Sequence, residues 1–448
     1  MTSILAAVSF AFLPQADALP RRGTLGVPFA AVPSEQRTSL ALKPGEGLLV
    51  QKPSPGLTGH KAGLKEGDIV LTLNGKPVMQ STVSAAIREI PTGSTVTLGI
   101  VRDGKKLDLT ASLTEKPRDP GNANYDVVYS HIVSHGNRMR TILTVPKKPG
   151  KHPGFMFIQG FSPLSYDYVL EGSKNGIQTL AAPILFEFAD TGFVTLRIEK
   201  PGVGDSEGGP FADLDYTTEL DIYRQALKQL KGHDRVDPKN VFIFGHSMGG
   251  AFGPMIAVEN PVRGIAVYGT ASRTWHEYLL DTMRYQGLVG GASFENADES
   301  VRQGSRLISL VFQENKSAEE VKKSHPQLAA MVDQMLPGGM FNGKTLDFWR
   351  QLGTTNFAAV WGKVDADVLS IRGASDFVTY NVDHTLIGEI VNRARPGKAK
   401  VVIAPALDHV FNNWPTEAES MKHWPNGTFN PDIVKILRDW TREIIGTG

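Results

Sequence analysis

The first part of this 448-residue chain consists of short apolar runs separated by turn residues. The run Ile69 to Leu73 is followed by Asn74-Gly75, a dipeptide that strongly favours a two-residue hairpin turn. A longer pair of alternating runs reverses direction at Asp103-Gly104, and Ser81 to Ile90 shows helical spacing behind a serine suited to cap a helix. These patterns predict a small, mainly β domain over residues 22–115.

From Tyr125 onward the apolar positions form continuous runs that alternate with segments of helical spacing. Residues 116–124, between the two parts, are polar and proline-bearing, and we interpret them as a linker. Uninterrupted apolar runs are typical of strands buried on both faces of a parallel sheet. The predicted strands are GFMFIQ, GFVTLRIE, NVFIFGH, RGIAVYG, DVLSIRG and AKVVIAP. The pattern therefore predicts an α/β fold over residues 125–447, with a mostly parallel, doubly wound sheet.

A long segment without strand character separates RGIAVYG from DVLSIRG, at about residues 272–364. Its pattern is mainly helical, and it is too long for a structureless loop, since such loops rarely exceed about 15 residues. We interpret it as a helical cap over one edge of the sheet. A surface insertion unrelated to activity is the alternative.

The composition excludes several classes of function. Lysine and arginine total 47 against 46 acidic residues, and no long run of either sign indicates a nucleic acid or an anionic membrane surface as partner. The absence of cysteine excludes disulfides, thiolate metal sites and a cysteine nucleophile. No metal-binding constellation or dinucleotide glycine motif is apparent, so we expect neither a metal nor a cofactor.

The N-terminal residues have the pattern of an export signal. The apolar run ILAAVSFAFL is too short to span a bilayer as a helix, and we expect no integral membrane span elsewhere. Ala16-Asp17-Ala18, just after it, has the small-x-small form of a signal-peptidase site. No lysine or arginine precedes the run, which is atypical. We predict a signal peptide over residues 1–18 and a periplasmic or secreted protein, with a buried N-terminal strand or a disordered tail as the alternatives.

Two serines, Ser206 and Ser247, have the spacing G-x-S-x-G. Such a serine acts as a nucleophile when it occupies a tight turn between a strand and a helix. Ser247 follows a predicted strand and precedes a segment that can form a helix. Ser206 lies between Pro201 and Pro210 among several glycines, which leaves no room for an immediate helix. Ser247 is therefore the predicted nucleophile and Ser206 a loop serine.

A nucleophilic serine needs a histidine base and a carboxylate that orients it, both placed at the carboxyl ends of strands. Asp376 follows the strand DVLSIRG, and His409 lies in the loop after the next strand. Asp408 is an alternative acid. We expect His246 to have a structural role in the fold. For His384 we expect either a packing role or a position on the surface.

The order Ser247, Asp376, His409 resembles that of the α/β-hydrolase family. The segments QGFSPLSYDY and RIEKPGVGDSEG resemble two further family motifs, with Gln159 where the family usually has histidine and Glu199 where it has aspartate. The resemblance is to esterases with a helical cap, which are related to prolyl-oligopeptidase and serine-aminopeptidase-like hydrolases. It implies an oxyanion hole formed by backbone N–H groups, one of Met248 and the other of Phe161.

The front domain resembles PDZ domains of bacterial envelope proteases, through AGLKEGDIV (62–70) and NGKPV (74–78). The resemblance implies a groove for an apolar C-terminal peptide, walled by the helix at Ser81 to Ile90. The loop GTLGV would then hold the peptide carboxylate through the N–H groups of Leu25, Gly26 and Val27. A PDZ fold used as a spacer or dimer contact is the alternative.

Together these features predict an exported serine hydrolase that cleaves carboxylic esters through an acyl-enzyme. A peptidase of the prolyl-oligopeptidase or serine-aminopeptidase kind is the alternative, with Glu277 and Arg284 as candidate anchors for a peptide terminus. A non-catalytic binding protein is a third reading. The sequence leaves open an ester or a peptide as the small-molecule substrate, and packing or substrate contact for Trp275, Tyr278 and Trp349.

Overall fold

The computed structural model describes residues 19–79, 82–170 and 180–446. The predicted signal peptide at residues 1–18 and the predicted capping residue Ser81 lie outside these ranges. Of the helices within them, none has both the length and the apolar character needed to cross a membrane.

The front domain is a small antiparallel sheet with short helices. Its strands are β1 (Gly23–Thr24), β2 (Phe29–Ala30), β3 (Leu48–Val50), β4 (Ile69–Leu73), β5 (Lys76–Pro77), β6 (Thr95–Arg102), β7 (Lys105–Ser112) and β8 (Thr114–Glu115). Its helices are α1 (Ser34–Ser39), α2 (Thr58–Ala62) and α3 (Val83–Arg88). The sheet order is β2-β3-β4-β6-β7, while β5 pairs with β4 and β1 with β8. The β6–β7 turn has Asp103 and Gly104 at φ values of 47° and 73°, as expected for the predicted hairpin.

The second domain is built on a sheet of eight described strands. They are β9 (Tyr125–Ser134), β10 (Asn137–Pro146), β11 (His152–Ile158), β12 (Val194–Ile198), β13 (Val236–His246), β14 (Gly264–Tyr268), β15 (Asp367–Gly373) and β16 (Ala399–Ala404). The order is β16-β15-β14-β13-β11-β12-β10-β9, and the six strands from β16 to β12 are parallel. The predicted parallel sheet is therefore confirmed. The antiparallel hairpin β9–β10, which adds its last two strands, was not predicted.

The helices of this domain cover both faces of the sheet or lie in the insertion between β14 and β15. They are α4 (Ala182–Asp190), α5 (Tyr216–Gly232), α6 (Gly249–Glu259), α7 (Trp275–Val289), α8 (Phe294–Ile308), α9 (Ala318–Ser324), α10 (Ala329–Met335), α11 (Leu346–Gly353), α12 (Phe357–Trp361), α13 (Asn381–Ala394), α14 (Glu417–His423) and α15 (Asp432–Gly446). Shorter 3-10 or π-helical turns lie at Phe211–Asp213, Ser309–Gln313, Pro326–Leu328 and Pro337–Gly339.

The helices α7 to α12 lie between β14 and β15 and form the predicted cap. Leu307, Phe348 and Trp361 of the cap are buried in the same apolar cluster as residues of the central strands. The cap is therefore packed onto the sheet domain as part of its core.

The segment before β1 joins the two domains. Leu19–Arg22, which we call the N-terminal anchor, enters a buried group of carboxylates formed by Asp167, Glu199 and Asp205. Arg21 Nη1 lies 2.6 Å from Asp167 Oδ2 and also contacts Asp205. Arg140 bonds both Asp205 and the carbonyl of Leu19. Asp167 and Asp205 are therefore paired with arginines, and these ion pairs tie the start of the front domain to the sheet domain.

Candidate active site

Ser247 occupies a tight turn between β13 and α6. Its φ of +54° lies in the left-handed region, which costs a non-glycine residue about 1–3 kcal/mol and is typical of functional turns. The glycines on either side are required by close packing. A Cβ at Gly245 would lie 2.4 Å from the oxygen of Gly249, and one at Gly249 would lie 2.1 Å from the oxygen of Ile158. This is the strand–turn–helix geometry of a nucleophile elbow.

A chain of hydrogen bonds links the three residues predicted from sequence. His409 Nε2 lies 3.0 Å from Ser247 Oγ, and His409 Nδ1 lies 2.9 Å from Asp376 Oδ2. Thr379 Oγ1 also donates to Asp376 Oδ2, at 2.7 Å, and sequence reasoning missed this contact. By accepting a hydrogen bond from His409 Nδ1, Asp376 favours the tautomer of His409 with its proton on Nδ1. His409 Nε2 is then free to accept the proton of Ser247.

The electrostatics of the site favour an ionised Asp376. Its side chain is fully buried, and burial alone would raise its pKa. The charge of His409 and the hydrogen bonds from His409 and Thr379 outweigh burial and hold the pKa of Asp376 at about 2. The carboxylate is therefore charged at neutral pH and can stabilise an imidazolium at His409.

The rival carboxylate Asp408 has a different environment. Its Oδ1 accepts the backbone N–H groups of Val410, at 2.9 Å, and Asn412, at 2.7 Å, rather than a proton of His409. Burial raises the pKa of Asp408 to about 6. Asp408 therefore stabilises the loop that carries His409.

His246 and His384, the other two histidines considered from the sequence, have structural roles. Burial lowers the pKa of His246 to about 3, so its neutral ring donates from Nε2 to the carbonyl of His409, at 2.7 Å. His384 is fully buried beside Ser370, with 2.8 Å between Nδ1 and Oγ, and burial lowers its pKa to about 4. A packing role for His384 is thus correct, and a surface position is wrong.

Ser206 lies in a buried loop after β12. Its Oγ donates to the carbonyl of Glu199, at 2.8 Å, and accepts the N–H of Arg140, at 2.9 Å. Glu199 accepts the N–H of Asp205, at 2.8 Å, and burial raises the pKa of Glu199 to about 7. Both residues therefore organise this loop, and Ser206 has no exposed surface from which to react.

Phe161 and Met248 border the same cavity as Ser247. Met248 is the N-cap of α6, where the helix dipole favours negative charge. A Cβ at Gly160 would lie only 3.1 Å from Ser247 Cβ, so the loop before Phe161 lies against the nucleophile. Within the described ranges neither the Phe161 nor the Met248 N–H donates a hydrogen bond to another protein group. Both are therefore free to donate to an oxygen in the cavity.

The cavity of about 190 Å³ next to Ser247 lies between the sheet domain and the cap, and both contribute to its walls. Trp275 stacks between Trp349 and Tyr278, with ring centroids 4.9 Å apart in both pairs, and all three rings line the cavity. Trp349 is also a buried core residue, so its packing role is observed, while substrate contact by the three rings stays a prediction. The only charged residue lining the cavity in the described ranges is Arg273, and it is paired with acidic residues.

The two candidate anchors for a peptide terminus are engaged elsewhere. Glu277 completes a capping box with Thr274 at the start of α7. Arg284 lies 3.2 Å from Asp298 in an ion pair, and neither anchor lines the cavity.

The predicted carboxylate-binding loop of the front domain is closely packed. Leu25 and Val27 are buried in the core of that domain, and the N–H of Gly26 donates to Thr24 Oγ1 at 3.0 Å. A Cβ at Gly26, whose φ is +66°, would lie 2.3 Å from Leu57 Cβ. Packing against Leu57 therefore explains this glycine, and Thr24 is a partner that the sequence did not reveal.

Comparison with known families agrees with this geometry. A family model described as "Alpha/beta hydrolase family" matches residues 157–420, more than half of the chain. The chain belongs to the alpha/beta hydrolase family. A second model, described as "PDZ domain", matches residues 23–113 of this hydrolase. Both matches lie inside the predicted domains, whose bounds of 22–115 and 125–447 stay predictions.

Individual relatives resemble one domain or the other. Esterase EstD of Thermotoga maritima is 19% identical over 300 residues, which are 66% of this hydrolase and 64% of EstD. The periplasmic serine endoprotease DegP of Escherichia coli (strain K12) is 32% identical over 100 residues, in the PDZ part. Those residues are 22% of this hydrolase and 21% of DegP, so the chain spans about a fifth of that relative's length.

Among solved structures, Est1E from Butyrivibrio proteoclasticus with ferulic acid bound is similar at a TM-score of 0.45 and 16% identity. The likeness covers 70% of this hydrolase and 99% of that chain. A thermophilic esterase from Thermogutta terrifontis is similar at a TM-score of 0.41 and 14% identity, over 71% and 99% of the two chains.

Proposed function

We propose that this hydrolase cleaves carboxylic esters through an acyl-enzyme on Ser247. The observation that carries the proposal is the unbroken chain of hydrogen bonds from Ser247 through His409 to the ionised Asp376. The chain ends in a cavity walled by aromatic rings of the cap, which suits an apolar acyl group.

The proposed reaction has two halves. Ser247 Oγ attacks the ester carbonyl carbon while His409 Nε2 takes its proton, and the carbonyl electron pair moves onto oxygen. The N–H groups of Met248 and Phe161 stabilise this oxyanion, and such a donor contributes on the order of 10²–10³ in rate. The oxyanion collapses, the alcohol leaves with the proton from His409, and a water repeats the sequence to release the acid.

Among the described residues that line the cavity, the one charged side chain, Arg273, is paired, which favours an ester over a peptide. A peptidase that recognises a peptide terminus needs an unpaired charge near the nucleophile, whereas Arg273 contacts Asp281 at 2.7 Å and Asp383 at 3.1 Å. The substrate carbonyl would therefore be placed by apolar contacts and by the oxyanion donors.

A substrate panel tests this choice. We expect kcat/KM for p-nitrophenyl esters of apolar acids to exceed that for aminoacyl and prolyl anilides by at least about tenfold, because the described lining of the cavity offers apolar contacts and no unpaired charge. Equal or faster cleavage of the anilides would assign the protein to the peptidases. No turnover of either class would support the non-catalytic reading.

A periplasmic or secreted location is part of the proposal. It is supported by the apolar run and small-x-small motif in residues 1–18, and by the periplasmic relative that resembles the PDZ part. Cell fractionation tests it.

We also propose that the front domain binds an apolar C-terminal peptide beside Gly26. The PDZ family match over residues 23–113 supports this. Titration of the full-length protein with a C-terminal peptide library should reveal binders. Amidation of their C-termini should weaken binding at least about tenfold, since it removes charge-assisted hydrogen bonds. No binder, or equal binding of amidated peptides, would assign the domain to a spacer role.

A further inference from the structure

A fully buried lysine lies behind the loop that carries Phe161. Lys200 follows β12, and its Nζ donates to the carbonyl oxygens of Gly160, at 2.6 Å, and Phe161, at 3.0 Å. The same Nζ lies 2.7 Å from Glu219 Oε1 on α5. The three N–H groups of the ammonium thus have three partners, two of them in this loop.

One of these partners belongs to the peptide that would hold the oxyanion. The carbonyl of Gly160 and the N–H of Phe161 are the two ends of a single planar peptide unit. In a trans peptide the two groups point to opposite sides, so the N–H is directed away from the ammonium that binds the carbonyl. Phe161 borders the cavity of Ser247, and Gly160 packs against Ser247 Cβ.

We propose that Lys200 is a positioning residue of the oxyanion hole, which orients and polarises the Gly160–Phe161 peptide. The inference rests on the proposed ester hydrolysis at Ser247. A positive charge at a carbonyl oxygen draws electron density from the amide and strengthens its N–H as a donor, and it does so most in a buried site. A donor fixed before the reaction does not have to reorganise when the oxyanion forms.

The surrounding charges favour this role over packing alone. Lys344, from the cap, lies 3.5 Å from Glu219 Oε2, so two buried ammonium groups share one carboxylate. Burying charge is unfavourable, and apolar residues often replace buried ion pairs without loss of stability. The second hydrogen bond of Lys344 goes to the carbonyl of Leu214, at 2.8 Å, and its ammonium lies over the ring of Phe211. Lys344 also lies 5.9 Å from the centroid of the Phe161 ring, but among the described residues it makes no hydrogen bond to the loop carbonyls, and it provides a matched control.

The test compares Lys200→Met with Lys344→Met, using a trifluoromethyl ketone as the probe. Ser247 Oγ adds to the ketone carbon, its proton passes to His409, and the carbonyl electron pair becomes an oxyanion in the hole. Lys200→Met should lower kcat/KM about 10- to 100-fold and raise the Ki of the ketone by the same factor, with KM changed less than about threefold. Lys344→Met should leave that Ki within about threefold of wild type, even where its Tm falls.

A second variant keeps the proposal testable if Lys200→Met fails to fold. Lys200→Gln also removes the charge, and it should raise the ketone Ki in the same direction. A wild-type Ki in a folded Lys200 variant, an equal rise in Lys344→Met, or failure of both Lys200 variants to fold would each overturn the positioning role. Failure of the proposed function itself has a different signature, because the wild-type protein would then neither turn over esters nor bind the ketone.

Discussion

Replacing Ser247 by alanine should abolish ester hydrolysis and labelling by a fluorophosphonate probe. The substitution removes the one oxygen that His409 can activate, and loss of such a nucleophile lowers kcat by about 10⁶ in a well-studied serine protease. Ser247 has a left-handed φ of +54°, which is strained for any residue other than glycine. Alanine at this position would bear the same backbone strain that serine already bears. Initial rates on the best ester of the panel and in-gel fluorescence after labelling measure the effect.

Ser206→Ala is the matched control, since Ser206 has the same G-x-S-x-G spacing. Its Oγ is buried between the carbonyl of Glu199 and the N–H of Arg140, so the probe cannot reach it. Labelling should persist, while the free energy of unfolding falls by about 1–3 kcal/mol because the N–H of Arg140 loses its partner. Labelling that survives Ser247→Ala would refute the assignment of the nucleophile.

Asp376→Asn should lower kcat by about 10⁴, the size of the effect when the corresponding aspartate of a serine protease is replaced. Asparagine brings an N–H₂ group close to His409 Nδ1, where the wild type has only an acceptor. The imidazole then carries its proton on Nε2, and it cannot accept the proton of Ser247. Steady-state kinetics on the preferred ester measure the loss.

The control for this carboxylate is Asp408→Asn. Asp408 Oδ1 accepts two backbone N–H groups, and the amide oxygen of asparagine can keep both hydrogen bonds. We expect kcat within about tenfold of wild type. The opposite outcome, with the large loss at Asp408 and little change at Asp376, would mean that the wrong acid was chosen.

The parts of the fold that could be predicted from sequence are those with a strong local signal. The central parallel strands β11, β12 and β14 are mainly apolar runs because they are buried on both faces, whereas the edge strand β16 leaves Val401 and Ile403 exposed. The hairpin β9–β10 lacks that signal, since β9 alternates and leaves Val128 and Val133 exposed. Its turn at His135 and Gly136 also lacks the asparagine or aspartate that marks such hairpins most clearly.

The same distinction applies to the candidate site. Ser247, Asp376 and His409 each follow a strand, so their meeting point could be inferred from the order of the elements. Lys200 could not, because its partners Gly160 and Glu219 are brought to it only by the fold, and in sequence it looks like an ordinary surface charge. Aromatic residues of the cap are equally uninformative in sequence, since the same side chains build cores and pocket walls.

The N-terminal anchor has a consequence for the order in which parts of the protein can fold. Arg21 is among the first described residues, yet its partners Asp167 and Asp205 lie 146 and 184 positions further along the chain. The front domain can form its own sheet from residues close in sequence, but these ion pairs must wait until the loop that contains Asp205 is also available to fold. Contacts of such high sequence separation form slowly. Docking of the two domains is therefore a late step of folding, and a chain truncated before Asp205 has no complete site for the anchor.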